Sequence, residues 1–166
     1  MTYYDQIALG YNQLYSQEQL TKLQTALDKS PFFLSGSVLD VGCGTGISSD
    51  FWFDMCKCDV TGIDPSEGLL AQYKSNKSTL LQGFAEKLPF TDNQFDVVVS
   101  FSAIQNFDDI LTGLQEIRRV GKGKFILSVM SRGKNADEID QQIRSLFIIE
   151  ESVVCLNDTI YFCTND

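Results

Sequence analysis

The chain has 166 residues, of which 43% are hydrophobic, and 13 basic against 22 acidic residues give it a net charge of −9. A chain this acidic has no sequence-independent attraction for phosphate backbones, so we expect no unaided binding to nucleic acid. The chain contains no histidine. This excludes an imidazole base, a Ser-His-Asp or Cys-His nucleophile and a histidine-containing zinc site.

The cysteines and the start of the chain narrow the class of protein further. There are five cysteines, an odd number without a C-x-x-C pair, so we predict free thiols and no metal site. No apolar run reaches the roughly 18 residues of a membrane span. The first residues, MTYYDQIALG, lack the basic and apolar regions of a secretory signal. We therefore expect a cytoplasmic protein without a membrane contact.

The N-terminal segment is predicted to be helical. Leucine and isoleucine recur at near-helical spacing until Pro31 interrupts the pattern. Ser16 is a candidate cap for a second helix within this segment. We expect residues 1–30 to form a helical cap on a core of residues 37–166, together making one domain over residues 1–166.

Strands and helices then alternate along the chain. Apolar runs rich in β-branched residues predict parallel strands, because strands covered on both faces lack polar alternation; the runs are 37–41, 59–64, 79–83, 95–100 and 124–129. Helices are predicted at 47–55, from Pro65, at 108–120 and at 136–147. The last runs, 148–155 and 159–163, are too close for a crossover helix and predict an antiparallel hairpin. The fold class is α/β, a doubly wound, mostly parallel seven-stranded sheet with an antiparallel C-terminal hairpin.

A glycine-rich turn, Gly42-Cys43-Gly44-Thr45-Gly46, follows the first strand. Ligands of open α/β sheets bind outside the carboxyl ends of the strands, where this turn is expected. The dinucleotide fingerprint needs a glycine or alanine in place of Ile47, and the phosphate loop needs a lysine there. No basic residue lies between Asp40 and Met55. The turn therefore predicts a nucleoside-like ligand without phosphates, and Asp40 suits a cation.

Four ordered motifs resemble those of the class I S-adenosylmethionine-dependent methyltransferases. They are DVGCGTG at 40–46, GIDPS at 62–66, GFAEKLPF at 83–90 and DNQFDVV at 92–98. The resemblance covers about residues 37 to 130. It implies a Rossmann-like fold, S-adenosylmethionine as the cofactor and a methyltransferase activity.

The resemblance also implies which residues hold the methionine and ribose portions of the cofactor. Gly42, Gly44 and Gly46 would wrap the methionine portion, and Asp40 would lie near its ammonium group. Asp64 would accept hydrogen bonds from both ribose hydroxyls, since a carboxylate offers two acceptor oxygens. For Asp40 the alternative is a carboxylate that only caps the turn.

The same resemblance places other residues around the adenine and the sulfonium. The adenine would lie against Pro65, Ser66, Ala85 and Glu86. The sulfonium would lie beside Ser100 and Phe101, and Tyr11 would close over the cofactor unless it only packs the helix. Phe84 departs from the family, which often has an aspartate there that meets the adenine amino group, so this contact is in question.

The acceptor side of the site is less specified by the sequence. Gln105 and Asn106 follow the fourth strand and are candidates to orient a substrate, although they would equally cap the helix that begins near Asp108. No catalytic residue is identified. A late group of basic residues fits either helix-end charge or a patch for an anion or RNA; it consists of Arg118, Arg119, Lys122, Lys124, Arg132 and Lys134.

The methyl acceptor is predicted to be a small molecule. The Asn/Asp-Pro-Pro-Tyr/Phe signature of amino-nitrogen methylation is absent after the fourth strand, where Ser100-Phe101-Ser102-Ala103 stands. One alternative is an RNA methyltransferase, because Ser100 to Gln105 faintly resembles the ribosomal-RNA guanine N7 enzymes, which need a small zinc-binding activator protein. Another alternative is a cofactor-binding subunit without catalysis. The expected partners are thus the acceptor and either a small activator protein or a second copy of the chain.

Overall fold

Seven strands form one sheet in the order β3-β2-β1-β4-β5-β7-β6. In this computed structural model, the backbone is described for residues 3–165 and the side chains for residues 16–165. The strands are β1 (Ser37–Val41), β2 (Asp59–Asp64), β3 (Thr79–Gln82), β4 (Phe95–Phe101), β5 (Gly121–Met130), β6 (Ile148–Cys155) and β7 (Asp158–Thr164). The helices are α1 (Tyr3–Lys29), α2 (Ile47–Cys56), α3 (Glu67–Leu70), α4 (Ile110–Val120) and α5 (Ala136–Leu146).

The order of the strands reverses at β1. This strand pairs in parallel with β2 on one side and with β4 on the other. β5 continues the parallel part of the sheet, whereas β7 is antiparallel to both β5 and β6. The predicted α/β fold with its antiparallel C-terminal hairpin is confirmed. A reversal of this kind opens a crevice at the carboxyl ends of the flanking strands.

Both faces of the central strands are buried. In β4, Val98 belongs to an apolar cluster with α4 and α5, whereas Val97 and Val99 belong to a second cluster with α1 and α2. β5 divides in the same way, because Phe125 and Ile126 point to opposite clusters. Side chains alternate between the faces of a strand, so burial on both faces explains why these runs lack polar alternation.

The N-terminal segment differs from the prediction. α1 is one helix of 27 residues that continues through Ser16, so a second helix start at this residue is wrong. No proline and no glycine stands near Ser16, and an isolated serine costs a helix little. α1 packs against α2, α3 and β6. Within residues 3–165, no helix combines the length and the apolar character needed to span a membrane.

The helix after β2 is also shorter than its sequence predicts. Pro65 precedes the helix instead of opening it, because Ser66 is the N-cap and its hydroxyl accepts a hydrogen bond from the Leu69 N–H (3.1 Å). α3 ends at Leu70, and the following stretch contains serine and asparagine residues that favour turns. The chain between α3 and β3 is therefore mostly loop.

The loop between β3 and β4 is fastened to α4 by Arg119. Its guanidinium donates to the carbonyls of Leu88 (3.1 Å) and Phe90 (2.8 Å) and to the Asp92 carboxylate (2.9 Å). It also forms two hydrogen bonds with Glu116 (2.7 and 2.9 Å), which lower the pKa of that carboxyl group. The Leu88 N–H donates to the same carboxylate (2.8 Å). The planar guanidinium of Arg119 thus holds the loop segment 88–92 at both ends.

We expect Arg119→Lys to lower the free energy of unfolding by about 1–2 kcal/mol, because an ammonium group cannot satisfy two carbonyls and a carboxylate in a fixed plane. Urea denaturation followed by circular dichroism measures the change. Arg144→Lys is the control, since Arg144 is exposed and pairs with Asp140 along α5. Equal losses in the two variants would contradict the bracing role of Arg119.

Candidate functional site

An open cleft lies at the carboxyl ends of β1, β2 and β4 and consists of two adjoining chambers. The first chamber, together with the solvent space at its mouth, comprises about 630 Å³, and its walls include Gly42, Gly44, Asp64, Phe101, Ser102 and Ala103. The second chamber, likewise with the solvent space at its mouth, comprises about 490 Å³, and its walls include Ile63, Gly83, Phe84, Ala85, Glu86 and Asp108. The chambers share the walls formed by Gly42, Pro65, Asn106 and Phe107.

The glycine loop after β1 requires its glycines for two separate reasons. Gly42, Gly44 and Gly46 have φ angles of 79°, 55° and 88°, a region that side chains disfavour. A Cβ atom on Gly42 would also lie 2.3 Å from the Cβ of Ala103, its neighbour in the wall of the first chamber. The Gly42 N–H donates to the Ile63 carbonyl (2.8 Å), which ties the loop to β2. The loop is thus a turn that leaves the cleft open.

Asp64, the last residue of β2, joins the two loops that border the first chamber. One carboxylate oxygen accepts the Gly44 N–H (2.9 Å), and the other accepts the Ser66 N–H (2.8 Å). The side chain is buried and lines the first chamber. An ionised carboxylate only accepts hydrogen bonds, so its position suits a ligand with hydroxyl donors, such as a sugar.

Asp40 lies beneath the glycine loop. One of its carboxylate oxygens accepts hydrogen bonds from the hydroxyls of Ser48 and Ser49 in the first turn of α2, the latter at 2.7 Å. The side chain is fully buried, and burial raises the pKa of its carboxyl group to about 6. Asp40 is not among the residues that line the chambers. Its carboxylate thus hydrogen-bonds to side-chain hydroxyls of α2, and a role near an ammonium group stays a prediction.

The second chamber is formed by the start of the loop after β3. Ala85 is buried, and one carboxylate oxygen of Glu86 accepts the Asp109 N–H (3.2 Å), which links this loop to the start of α4. Phe84 is 54% exposed although it is a large apolar side chain. Its ring therefore stands at the chamber wall, where a flat apolar ligand group would cover it.

Residues after β4 divide between the cleft and the interior. Phe101 lines the first chamber and Asn106 lines both, whereas the Ser100 hydroxyl is buried and donates to the Val41 carbonyl (2.8 Å). The Gln105 amide donates to the Ser102 carbonyl (2.7 Å) and is not in either wall. Tyr11 is in the part of α1 whose side chains the structure does not describe.

Only some of the predicted site residues therefore line the cleft. Those that line it are Gly42, Gly44, Asp64, Pro65, Ser66, Phe101, Asn106, Ala85 and Glu86. Asp40, Gly46, Ser100 and Gln105 are not among the wall residues. Sequence reasoning missed Ser102, which lines the first chamber and bonds to Lys22 and Asp158. No local motif could have indicated this group, because its members come from opposite ends of the chain.

The charge of the cleft agrees with the predicted ligand class. Neither chamber has lysine or arginine among its described wall residues, which include Asp64, Glu86 and Asp108. A phosphate would therefore find no basic partner there. Among residues 16–165, no cysteine, aspartate and glutamate side chains group closely enough to hold a metal ion.

The fold and the cleft define an α/β protein with an open cleft at the switch point of its sheet. Residues 39–127 match the family model described as a methyltransferase domain. The chain belongs to this family, the class I S-adenosylmethionine-dependent methyltransferases.

Individual relatives are similar over different lengths. The demethylmenaquinone methyltransferase of Chlorobaculum tepidum is 39% identical over 87 residues, which cover 51% of this chain and 36% of that protein. The chain spans between about a third and a half of the first curated relatives it matches.

Solved structures resemble the chain over nearly its whole length. One is the complex between the Haloferax volcanii Trm112 methyltransferase activator and a methyltransferase, with a TM-score of 0.84 at 17% identity over 99% of this chain and 98% of that chain. Another is the PH0226 protein from Pyrococcus horikoshii, with a TM-score of 0.79 at 20% identity over 100% of both chains. At these identities the likeness shows the fold alone.

We expect Gly42→Ala to destabilise the protein by about 1–3 kcal/mol, because the new methyl group meets Ala103 and the backbone has a positive φ. Gly123→Ala is the matched control. Gly123 also has a positive φ, of 153°, but its added Cβ would meet no atom within 4 Å. Denaturant unfolding compares the two variants. A loss in Gly42→Ala no larger than in the control would mean that the close approach to Ala103 is unimportant.

The buried carboxyl group of Asp40 predicts a pH dependence of stability. Because its pKa is raised from 3.8 to about 6 in the folded protein, folding favours the protonated form, and this contribution is lost as the pH rises through that interval. Asp40→Asn should therefore gain stability relative to the unsubstituted protein by up to about 3 kcal/mol between pH 4 and pH 7. Urea denaturation at a series of pH values measures the difference. A difference that is constant over this range would contradict the assignment.

Proposed function

We propose that the protein is an S-adenosylmethionine-dependent methyltransferase that methylates a small molecule. The observation that carries the proposal is the first chamber of the cleft. There, the positive-φ glycines and the Asp64 carboxylate border one space without a basic residue among the described walls. Family membership supports the same activity.

The two chambers fit the parts of this cofactor in sequence. Gly42 and Gly44 would border the amino-acid portion, because both line the first chamber and a glycine lets a ligand approach the backbone closely. Asp64 would accept the ribose hydroxyls. The second chamber would take the adenine against Ala85 and the exposed ring of Phe84. An elongated ligand can extend through both chambers because they share Gly42 and Pro65.

The chemistry asks the chain mainly for binding and orientation. When bound, the cofactor supplies an electrophilic methyl group on a positively charged sulfur. Phe101, Ala103 and Phe107 line the chamber and would exclude water from the space between the two reactants. Holding an acceptor in line with the methyl group would supply much of the rate, and an acceptor that is already nucleophilic needs no base.

A second candidate function is RNA methylation with a small activator protein. It is supported by the similarity in fold to the Haloferax volcanii chain, whose structure includes the Trm112 methyltransferase activator. The net charge of −9 opposes RNA binding by the chain alone. In this case the activator would have to supply contacts to the nucleic acid.

Cofactor binding and methyl transfer test the proposal together. Calorimetry should detect binding of S-adenosylhomocysteine, and Asp64→Asn should weaken it by about tenfold or more, because the amide presents a donor where two hydroxyls need an acceptor. Asp59→Asn is the control, since Asp59 lies exposed at the opposite end of β2. Equal affinity of the two variants would contradict the assigned role of Asp64.

Transfer of a labelled methyl group identifies the class of acceptor. The protein is incubated with labelled S-adenosylmethionine and either a small-molecule extract or RNA, with and without an added activator protein. Label in the small-molecule fraction supports the proposal, and label in RNA only with the activator supports the second candidate. Binding without label in any fraction would instead indicate a cofactor-binding subunit without catalysis.

A further inference from the structure

We propose that Lys22 and Asp158 are positioning residues that orient the Ser102 hydroxyl as a hydrogen-bond acceptor for the ammonium group of the cofactor. The inference rests on the proposed function. It adds a specific contact between Ser102 and the amino-acid end of the ligand. None of the three residues belongs to the four sequence motifs.

Ser102 follows β4 and is held from several sides. Its φ of 54° is in the left-handed region, and its N–H donates to the Ser128 carbonyl (2.9 Å). Its hydroxyl donates to one carboxylate oxygen of Asp158 (2.6 Å) and accepts a hydrogen bond from the Lys22 ammonium (3.0 Å). The hydroxyl orientation is therefore determined by α1 and β7, not by the loop that carries it.

Lys22 and Asp158 form an ion pair inside the protein. The Lys22 nitrogen lies 3.0 Å from the second carboxylate oxygen of Asp158, and the two residues are 4% and 0% exposed. The Ser128 hydroxyl donates to the same oxygen as Ser102 (2.5 Å). Removing two charges from water is costly, and apolar residues would commonly give equal stability. Both members of this ion pair hydrogen-bond to Ser102 in the cleft wall, which points to a role of the pair in the cleft.

The arrangement leaves Ser102 only one way to bond with a ligand. A hydroxyl has one hydrogen to donate and two lone pairs. The hydrogen is used by Asp158, and one lone pair is used by Lys22. The remaining lone pair can only accept. Since Ser102 lines the first chamber, it is fitted to a ligand group that donates, such as an ammonium, and not to a carboxylate.

Charge around Ser102 favours a positive ligand group. Lys22 also pairs with Glu18 (3.1 Å), so this cluster contains one positive and two negative side chains. Ser102 lies in the chamber wall with Gly42 and Gly44, away from the second chamber proposed for the adenine. The amino-acid end of the cofactor is the part that would reach it, and its ammonium is both a donor and a cation.

Two ligands distinguish the contribution of this contact to binding from that of the rest of the site. S-adenosylhomocysteine contains the amino-acid end, whereas 5′-methylthioadenosine keeps the nucleoside and sulfur without it. Ser102→Ala should weaken S-adenosylhomocysteine by about tenfold and leave 5′-methylthioadenosine unchanged, because only the former has the ammonium. Calorimetry at pH 7 measures both affinities. Ser131→Ala is the control, since Ser131 contacts Thr159, next to Asp158, and is exposed.

Asp158→Asn tests the orientation of the hydroxyl. The new amide can donate to Ser102, which turns the hydroxyl hydrogen towards the chamber, so the same selective loss is expected. Thermal unfolding shows whether this variant folds, and if it does not, Ser102→Ala decides alone. An equal loss for both ligands, or no loss for either, would overturn the inference. Failure of the unsubstituted protein to bind either ligand would overturn the proposed function and this inference with it.

Discussion

The hydrogen bonds of the Asp64 carboxylate hold together the loops from which the cleft is made. One oxygen bonds to Gly44 in the loop after β1, and the other bonds to Ser66 at the start of α3. Each loop has the backbone N–H groups of a turn, which need acceptors when they are buried. A single carboxylate at the end of β2 supplies both, so the shape of the first chamber follows from the position of one side chain on a rigid strand.

Asp40 stabilises the same loop from below. It is located on β1 in register with Gly62 of β2, and its bonds to Ser48 and Ser49 fasten the first turn of α2. A negative group is favoured at a helix N-terminus, which partly offsets the cost of its burial. The two acidic residues of the first two motifs thus have different tasks. Asp40 stabilises the base of the loop, and Asp64 lies at its edge in the wall of the first chamber.

The sequence was sufficient to predict the sheet and the location of the cleft. Apolar runs such as Val97 to Val99 are typical of strands buried on both faces. The glycine-rich turn after β1 is typical of a loop that a ligand approaches closely. The continuation of α1 through Ser16 was missed because a serine is compatible with both a cap and a helix interior. The inward position of Asp40 depends on the strand register and on the hydroxyls of α2, which no local pattern specifies.

Contacts between distant residues were the least predictable part of the site. Ser100 and Ser102 stand two positions apart, yet the first is buried against Val41 and only the second lines the cleft, because β4 ends between them and the backbone turns into a left-handed conformation. Lys22 and Asp158 lie near opposite ends of the sequence, so their ion pair could not be read from spacing. Non-local contacts of this kind form only when the whole sheet is assembled.

The basic residues late in the chain bear on whether the methyl acceptor is a nucleic acid or a small molecule. Arg118 donates to the Leu146 carbonyl (2.8 Å), and Arg119 braces the loop after β3. Lys122 pairs with Asp96, and Lys124 donates to the Phe33 carbonyl (3.3 Å). Four of the six cations that suggested a nucleic-acid patch thus have internal partners, which favours their interpretation as structural charges. This weakens the case for nucleic-acid binding by the chain alone, in agreement with its net charge of −9.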